Sequence, residues 1–107
     1  MKNRIFRAGD SSFINNAECS IIINGDGDTI RTGADYSSAF GKNVVVNNSY
    51  EADFYSTVYP GVVKITDVLH LTPRNSPPSP AYQGDIYYDS SLNKLRVYDG
   101  TTWHDCW

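Results

Sequence analysis

Residues 21–30, Ile21-Ile22-Ile23-Asn24-Gly25-Asp26-Gly27-Asp28-Thr29-Ile30, hold one short apolar burst, one turn cluster and the start of the next burst. Three β-branched residues in a row favour extended chain and are too few for a helix, and the Asn/Gly/Asp run that follows reverses the direction. A similar strand-then-turn unit, Val44-Val45-Val46-Asn47-Asn48, recurs later in the chain. Around these two lie Phe13-Ile14, Tyr36, Ala39-Phe40, Tyr50 and Phe54, separated by Asn15-Asn16, Thr32-Gly33-Ala34-Asp35 and Gly41-Lys42-Asn43. The chain bends every few residues, which predicts single-rung strands.

Ile14, Ile22 and Ile30 are eight apart, and Tyr36, Val45 and Phe54 nine apart, a ragged period close to that of β-roll and β-helix coils. About six such strands with one or two large apolar residues each enclose little area in one chain. A second and third copy would cover the same stripe with no new sequence. The fold class expected is therefore all-β: an intertwined homotrimeric β-roll or β-helix-like shaft followed by a small C-terminal three-stranded β-meander. Ile14, Ile22, Ile30, Val45 and Phe54 are the trimer-core candidates, and Val45→Asp is expected to abolish trimers and solubility together. A compact monomeric sandwich is the alternative on pattern alone.

Composition agrees with the all-β expectation. Eight Ile, eight Val, eight Tyr, four Phe and two Trp stand against four Leu and six Ala in the 107 residues. Asp outnumbers Glu ten to two, and nine Asn, eleven Ser and eight Gly favour turns over helix interiors. The net charge of -3 gives no cationic field to neutralise a phosphate backbone, so no nucleic-acid partner is expected. No apolar run reaches the roughly 18 residues of a membrane span, and the opening Met1-Lys2-Asn3-Arg4-Ile5-Phe6-Arg7 lacks a signal-peptide core. Cys19 and Cys106 fit neither a disulfide framework nor a metal-ligand spacing and read as reduced thiols.

The shaft is assigned to residues 1–71. Within it, residues 62–71 (Val62-Val63-Lys64-Ile65-Thr66-Asp67-Val68-Leu69-His70-Leu71) are the longest strand candidate, with a bend or two-sided burial needed near Val68. Residues 72–83 carry four of the five prolines and read as a polyproline-like connector. Residues 84–107 read as the meander: Gly84-Asp85-Ile86-Tyr87-Tyr88, a turn, Lys94-Leu95-Arg96-Val97-Tyr98, a two-residue Asp99-Gly100 turn, and the return from Thr101 to Trp107. Ile86, Tyr88, Leu95 and Val97 are expected to share one buried face with Trp103 packed across it. So short a meander does not stand alone and must dock.

The segment GDIYYDSSLNKLRVYDGTTWHDCW, preceded by LTPRNSPPSPAYQ, resembles a module of tailed-bacteriophage fibre and other virion proteins. In that module a GD-aromatic-Y element and a K-L-hydrophobic-Y-DG-x-x-W element bracket a small terminal meander. The Asn/Gly/Ser-rich stretch before it is similar, more loosely, to trimeric β-roll and β-helix shafts of the same class, including the short fibres of crass-like phages. The resemblance implies a homotrimeric virion fibre, attached to head or tail and assembled in the host bacterial cytoplasm. Its partners would be itself, neighbouring capsid or fibre proteins and a host surface glycan. The missing anchoring domain and receptor-binding tip favour a short head fibre over a long tail fibre. Either the basic opening or the aromatic C-terminus is suited to insertion in a socket.

The chain offers few ingredients for catalysis, and no enzyme activity, cofactor or metal is expected. His70 sits in an apolar context and His104 in a solvated terminal strand. Gly25-Asp26-Gly27-Asp28-Thr29-Ile30 resembles the calcium-binding nonapeptide coil, but it falls one residue short of that spacing and occurs once. Asp85, Asp89, Asp99 and Asp105 fall where turns need them, so a depolymerase fragment with a carboxylate pair has no support beyond the abundance of Asp. Tyr87, Tyr98, Trp103 and Trp107 are the candidates for docking or glycan contact. A monomeric carbohydrate-binding module using that cluster is the alternative function.

Overall fold

A computed structural model describes residues 12–107, the side chain of Asn24 excepted. The basic opening at residues 1–7 lies outside the described residues. Among the described residues nine strands form three sheets and no helix occurs, in keeping with the composition. The chain divides into two compact units, Met1–Lys64 and Ile65–Trp107. Residues 65–71, read from sequence as the end of the shaft, therefore cluster with the meander.

In the first unit, β1 (Phe13–Ile14), β3 (Thr29–Ile30) and β5 (Val45–Val46) form one parallel sheet. The other, also parallel, comprises β2 (Ile21–Asp26), β4 (Ser38–Lys42) and β6 (Ala52–Phe54). The chain alternates between the sheets, so each coil holds one strand of each. Register in the first sheet pairs Ile14 with Ile30 and Ile30 with Val46, two coils of equal length. Across the other sheet Ile22 pairs with Ala39 and Ala39 with Asp53, and here the second step is the shorter.

These registers explain and correct the sequence periods. The spacing of eight is half a coil: Ile14 and Ile30 stack in one sheet, and Ile22 belongs to the other. The series at nine joins positions that are not equivalent, since Tyr36 is in a corner, Val45 in the first sheet and Phe54 in the second. Likewise the Ile21-Ile22-Ile23 and Val44-Val45-Val46 bursts lie in different sheets.

Alternation does the packing, because successive side chains in a strand point to opposite faces. Ile14, Ile30 and Val46 point inward against Ile22 and Ala39, with Ala17, Ala34 and Val44 completing one buried cluster. Phe13 and Val45 point outward and are exposed. The chain thus buries Ile14, Ile22 and Ile30 by itself, and the premise that another copy must cover these three does not hold. Val45 and Phe54 sit on the outer faces of different sheets. Phe54 stacks on Phe40 at 4.5 Å, continuing the outward column begun by Ile23.

Side chains at the corners satisfy the backbone between coils. Asp35 Oδ1 accepts the Glu18 amide at 2.8 Å, and Ser49 Oγ accepts the Asp35 amide at 3.1 Å. Cys19, Tyr36 and Tyr50 occupy the same corner position in successive coils, and all three adopt left-handed backbone (φ 52°, 55° and 59°). At the opposite corner Gly27 (φ 73°) is followed one coil later by Asn43 (φ 56°). A Cβ on Gly27 would meet only the movable end of the Asn43 side chain, so it is the left-handed φ that favours glycine or asparagine at this corner.

The 62–71 segment forms no ladder; it has a bend at residues 66 and 67 and is exposed almost throughout. Its apolar residues fall on both sides of the chain, so no single sheet face accepts them all. In the second unit β7 (Ile86–Asp89), β8 (Lys94–Tyr98) and β9 (Trp103–Asp105) form an antiparallel meander. Arg74 adds a parallel bridge to Asp89, its amide donating to Tyr88 O at 3.0 Å. The connector is therefore partly tied to the β7 edge, through a residue between prolines that keeps its N–H. No helix among the described residues is long and apolar enough to cross a membrane.

Candidate functional site

The meander is the segment that carries the sequence resemblance, and its two faces differ. Tyr87 pairs with Arg96 and Arg96 with Asp105, which puts these three on one face with Trp103 and Tyr98. Trp103 meets Tyr87 edge-on at 4.9 Å and Tyr98 at 5.0 Å. Arg96 Nε donates to Asp105 Oδ1 at 2.8 Å, and its Nη1 lies 3.3 Å from the Tyr87 hydroxyl. That hydroxyl donates to Asp89 Oδ2 at 2.7 Å.

Asp89 closes the first turn. Its Oδ1 accepts the Ser91 hydroxyl at 2.6 Å and the Ser91 and Leu92 amides at 2.9 and 3.0 Å. The Ser91 hydroxyl, and next the Tyr87 hydroxyl, hold the carboxyl down to about 2. Burial, with the Asp89 carboxylate beside it, pushes the Tyr87 hydroxyl up. Tyr87 is therefore a buried bracing residue and presents no ring to a ligand.

The second turn spans residues 99–102, because Tyr98 pairs directly with Trp103. It is thus longer than the two-residue turn that the sequence suggests. Asp99 Oδ1 accepts both the Thr101 and Thr102 amides at 2.7 Å, an arrangement that a two-residue turn cannot offer. Its Oδ2 lies 2.7 Å from His104 Nε2. The Thr102 amide, then His104, hold the Asp99 carboxyl down to about 2.

The opposite face carries Ile86, Tyr88, Leu95 and Val97, the set expected from alternation, but Trp103 is not on it. In its place Trp107 tilts against Tyr88 at 6.5 Å. This face is not closed. Residues 68–71 and Pro73 form one wall, and Ile86, Tyr88, Leu95 and Trp107 the rest, of an open apolar groove of about 510 Å³. Val68 and Leu69 are 73% and 61% exposed, and Trp107 64%. The sequence pattern found the face, but a run that returns along it from beyond the Pro-rich connector leaves no periodic signal.

The four aromatic candidates thus separate: Tyr87, Tyr98 and Trp103 lie together on one face, and Trp107 lines the groove on the other. Asp85 accepts the Tyr82 amide at 2.9 Å, and Asp105 pairs with Arg96, so each of the four meander aspartates serves a turn or an ion pair. In the first unit Asp26 lies 3.4 Å from Lys42 Nζ, and Asp28 Oδ1 accepts the Val44 amide at 2.9 Å. The Gly25 to Asp28 turn therefore spends its carboxylates on separate contacts. One carboxyl pair escaped sequence reasoning: Glu51 and Asp53, on inward-facing positions of the third coil. Burial and then Glu51 push Asp53 up to about 6. The alternation around Phe54 would have placed both on one face.

Compared with known proteins, the chain matches no family model, no curated protein and no solved structure.

Proposed function

We propose that this chain is a structural, non-enzymatic component of a bacteriophage virion: a short homotrimeric head or tail fibre that attaches to neighbouring virion proteins or the host surface. The observation that carries the reading is the apolar groove on the meander, the segment whose sequence resembles the terminal module of phage fibre proteins. A stack of coils joined to a small unit with an uncovered apolar face suits a part that attaches by geometry. Val45, Phe13 and Phe54 add exposed apolar positions on the coil stack. The carbohydrate-binding alternative gains nothing from the aromatic cluster, since Tyr87 is buried and Trp107 faces away from Tyr98 and Trp103.

Two measurements test the proposal. Light scattering of the full chain with reductant should give about 36 kDa, three times 11.9 kDa, insensitive to dilution. Antibodies raised against the chain should label virions of the phage that encodes it. A dilution-independent mass of 11.9 kDa removes the trimer, and unlabelled virions remove the fibre.

A further inference from the structure

The groove on the second unit lacks a cover, and its chemistry narrows what covers it. Its lining holds no Asp, Glu, Lys or Arg; besides His70 and Tyr88, every residue is aliphatic, tryptophan or proline. Two copies facing each other here would bring no lining carboxylate against a carboxylate and no lining ammonium against an ammonium, so no side chain of the groove itself opposes self-pairing. The patch combines exposed apolar side chains with an apolar recess. Val68 and Leu69 are exposed along the wall, and Ile86, Tyr88, Leu95 and Trp107 line the groove beside them. A two-fold or three-fold contact needs a surface that is knob and hole at once.

The area is of the order that a small interface needs. Taking about 60–120 Å² for an aliphatic side chain and about 150–250 Å² for an aromatic one, the exposed fractions here amount to roughly 300–500 Å² of apolar surface per chain. In contacts between identical chains about two thirds of the area is apolar, so two copies would bury roughly 900–1,500 Å² in all. That range spans the floor of about 1,000 Å² for specific association and lies at the small end of the about 1,200–2,000 Å² of standard interfaces.

We infer that this groove is the contact through which copies of the chain associate, with Val68 and Leu69 of one copy seated between Ile86, Tyr88, Leu95 and Trp107 of another. The inference rests on the self-associating reading above and relocates its interface. Association is carried by residues 68–107, and the Ile14, Ile22 and Ile30 column stays inside each chain.

The test is the mass of the full chain beside Leu69→Asp and Val68→Lys, by light scattering over a hundredfold concentration range, with far-UV circular dichroism as the control for folding. Both substituted residues are exposed, so both variants should fold. The expected result is an assembled parent and two folded variants of 11.9 kDa, with Trp emission shifted to the red as Trp107 becomes wetter. A parent trimer whose folded variants remain trimeric overturns the groove as interface and leaves the trimer standing. A parent dimer that both variants dissociate upholds the groove and removes the three-fold arrangement. A parent that is monomeric throughout overturns both.

Discussion

The Asp28 carboxylate ties the second coil to the third: its Oδ1 accepts the Val44 amide at 2.9 Å, while the Asp28 amide donates to Ser12 Oγ in the first coil at 3.0 Å. Ser12, Asp28 and Val44 are evenly spaced along the chain, one to each coil, and all are buried, so one column of contacts runs through the stack. Asp28 Oδ2 is buried without a hydrogen-bond partner among the described residues, where a Cβ added to Gly25 would fall 2.9 Å from it. Burial pushes this carboxyl up, followed by an opposing contribution from the Val44 amide.

Asp28→Ala should leave the Val44 amide buried with no acceptor and cost about 1–3 kcal/mol in urea denaturation of the coil stack. Asp28→Asn keeps the acceptor and should cost less. Because the folded carboxyl sits above its unfolded value, its stabilising contribution is complete at low pH and fades as pH rises through the folded pKa. The parent should therefore lose more stability than Asp28→Asn as the pH is raised. Parallel pH profiles for the two proteins would remove the assignment.

Asp53 gives the same sign with a stated midpoint. Its inward position on the Ile22–Ala39–Asp53 row and its neighbour Glu51 push it up to about 6, so the coil stack should be more stable at pH 5 than at pH 7. Asp53→Asn should flatten that difference and gain about 1–2 kcal/mol at pH 7, after allowance for solvent screening. Thermal melts followed by far-UV circular dichroism at the two pH values measure it. A parent more stable at pH 7 than at pH 5 contradicts the arrangement.

The meander should respond in the opposite direction. Asp89 and Asp99 are held down to about 2, so the stability they confer is present above the ordinary carboxylate range and lost as pH falls from about 4 towards 2. Both tryptophans, Trp103 and Trp107, belong to this unit, so Trp emission reports on it alone. Between pH 5 and pH 3 the Trp-monitored melting midpoint should fall, and Asp89→Asn should shrink the fall. An unchanged midpoint over that range would show that neither turn depends on its ionised carboxylate.

Legibility from sequence followed contact range. The meander was readable because β7, β8 and β9 meet their partners through short turns, and Lys94-Leu95-Arg96-Val97-Tyr98 alternates within one strand. The all-β class was readable because β-branched and aromatic residues outweigh helix formers throughout. Coil assignment was not, since the step from Ile22 to Ala39 is longer than the step from Ala39 to Asp53, and no fixed period links the two. Nor could a pattern of apolar bursts show that Ile14, Ile22 and Ile30 already cover one another within a chain. The groove was hidden for the same reason, as Val68 and Leu69 approach β7 through long-range packing.

Val45 and Val46 separate the two readings of the coil stack most sharply. They are adjacent, yet Val45 is 38% exposed on the outer face and Val46 is 0% exposed within the core. Val46→Asp places an unpaired carboxylate among Ile14, Ile22 and Ile30 and should remove more than about 4 kcal/mol, enough to unfold the unit. Val45→Asp meets water and should change the melting midpoint of the folded chain by only a few degrees, about 0.5 kcal/mol or less. Sequence reasoning expected Val45→Asp to destroy assembly and solubility together. With association carried by the groove of residues 68–107, the outward position of Val45 should leave both fold and mass unchanged in this variant. Circular dichroism and light scattering on both proteins decide the matter, and an unfolded Val45→Asp beside a folded Val46→Asp would invert the two faces of β5.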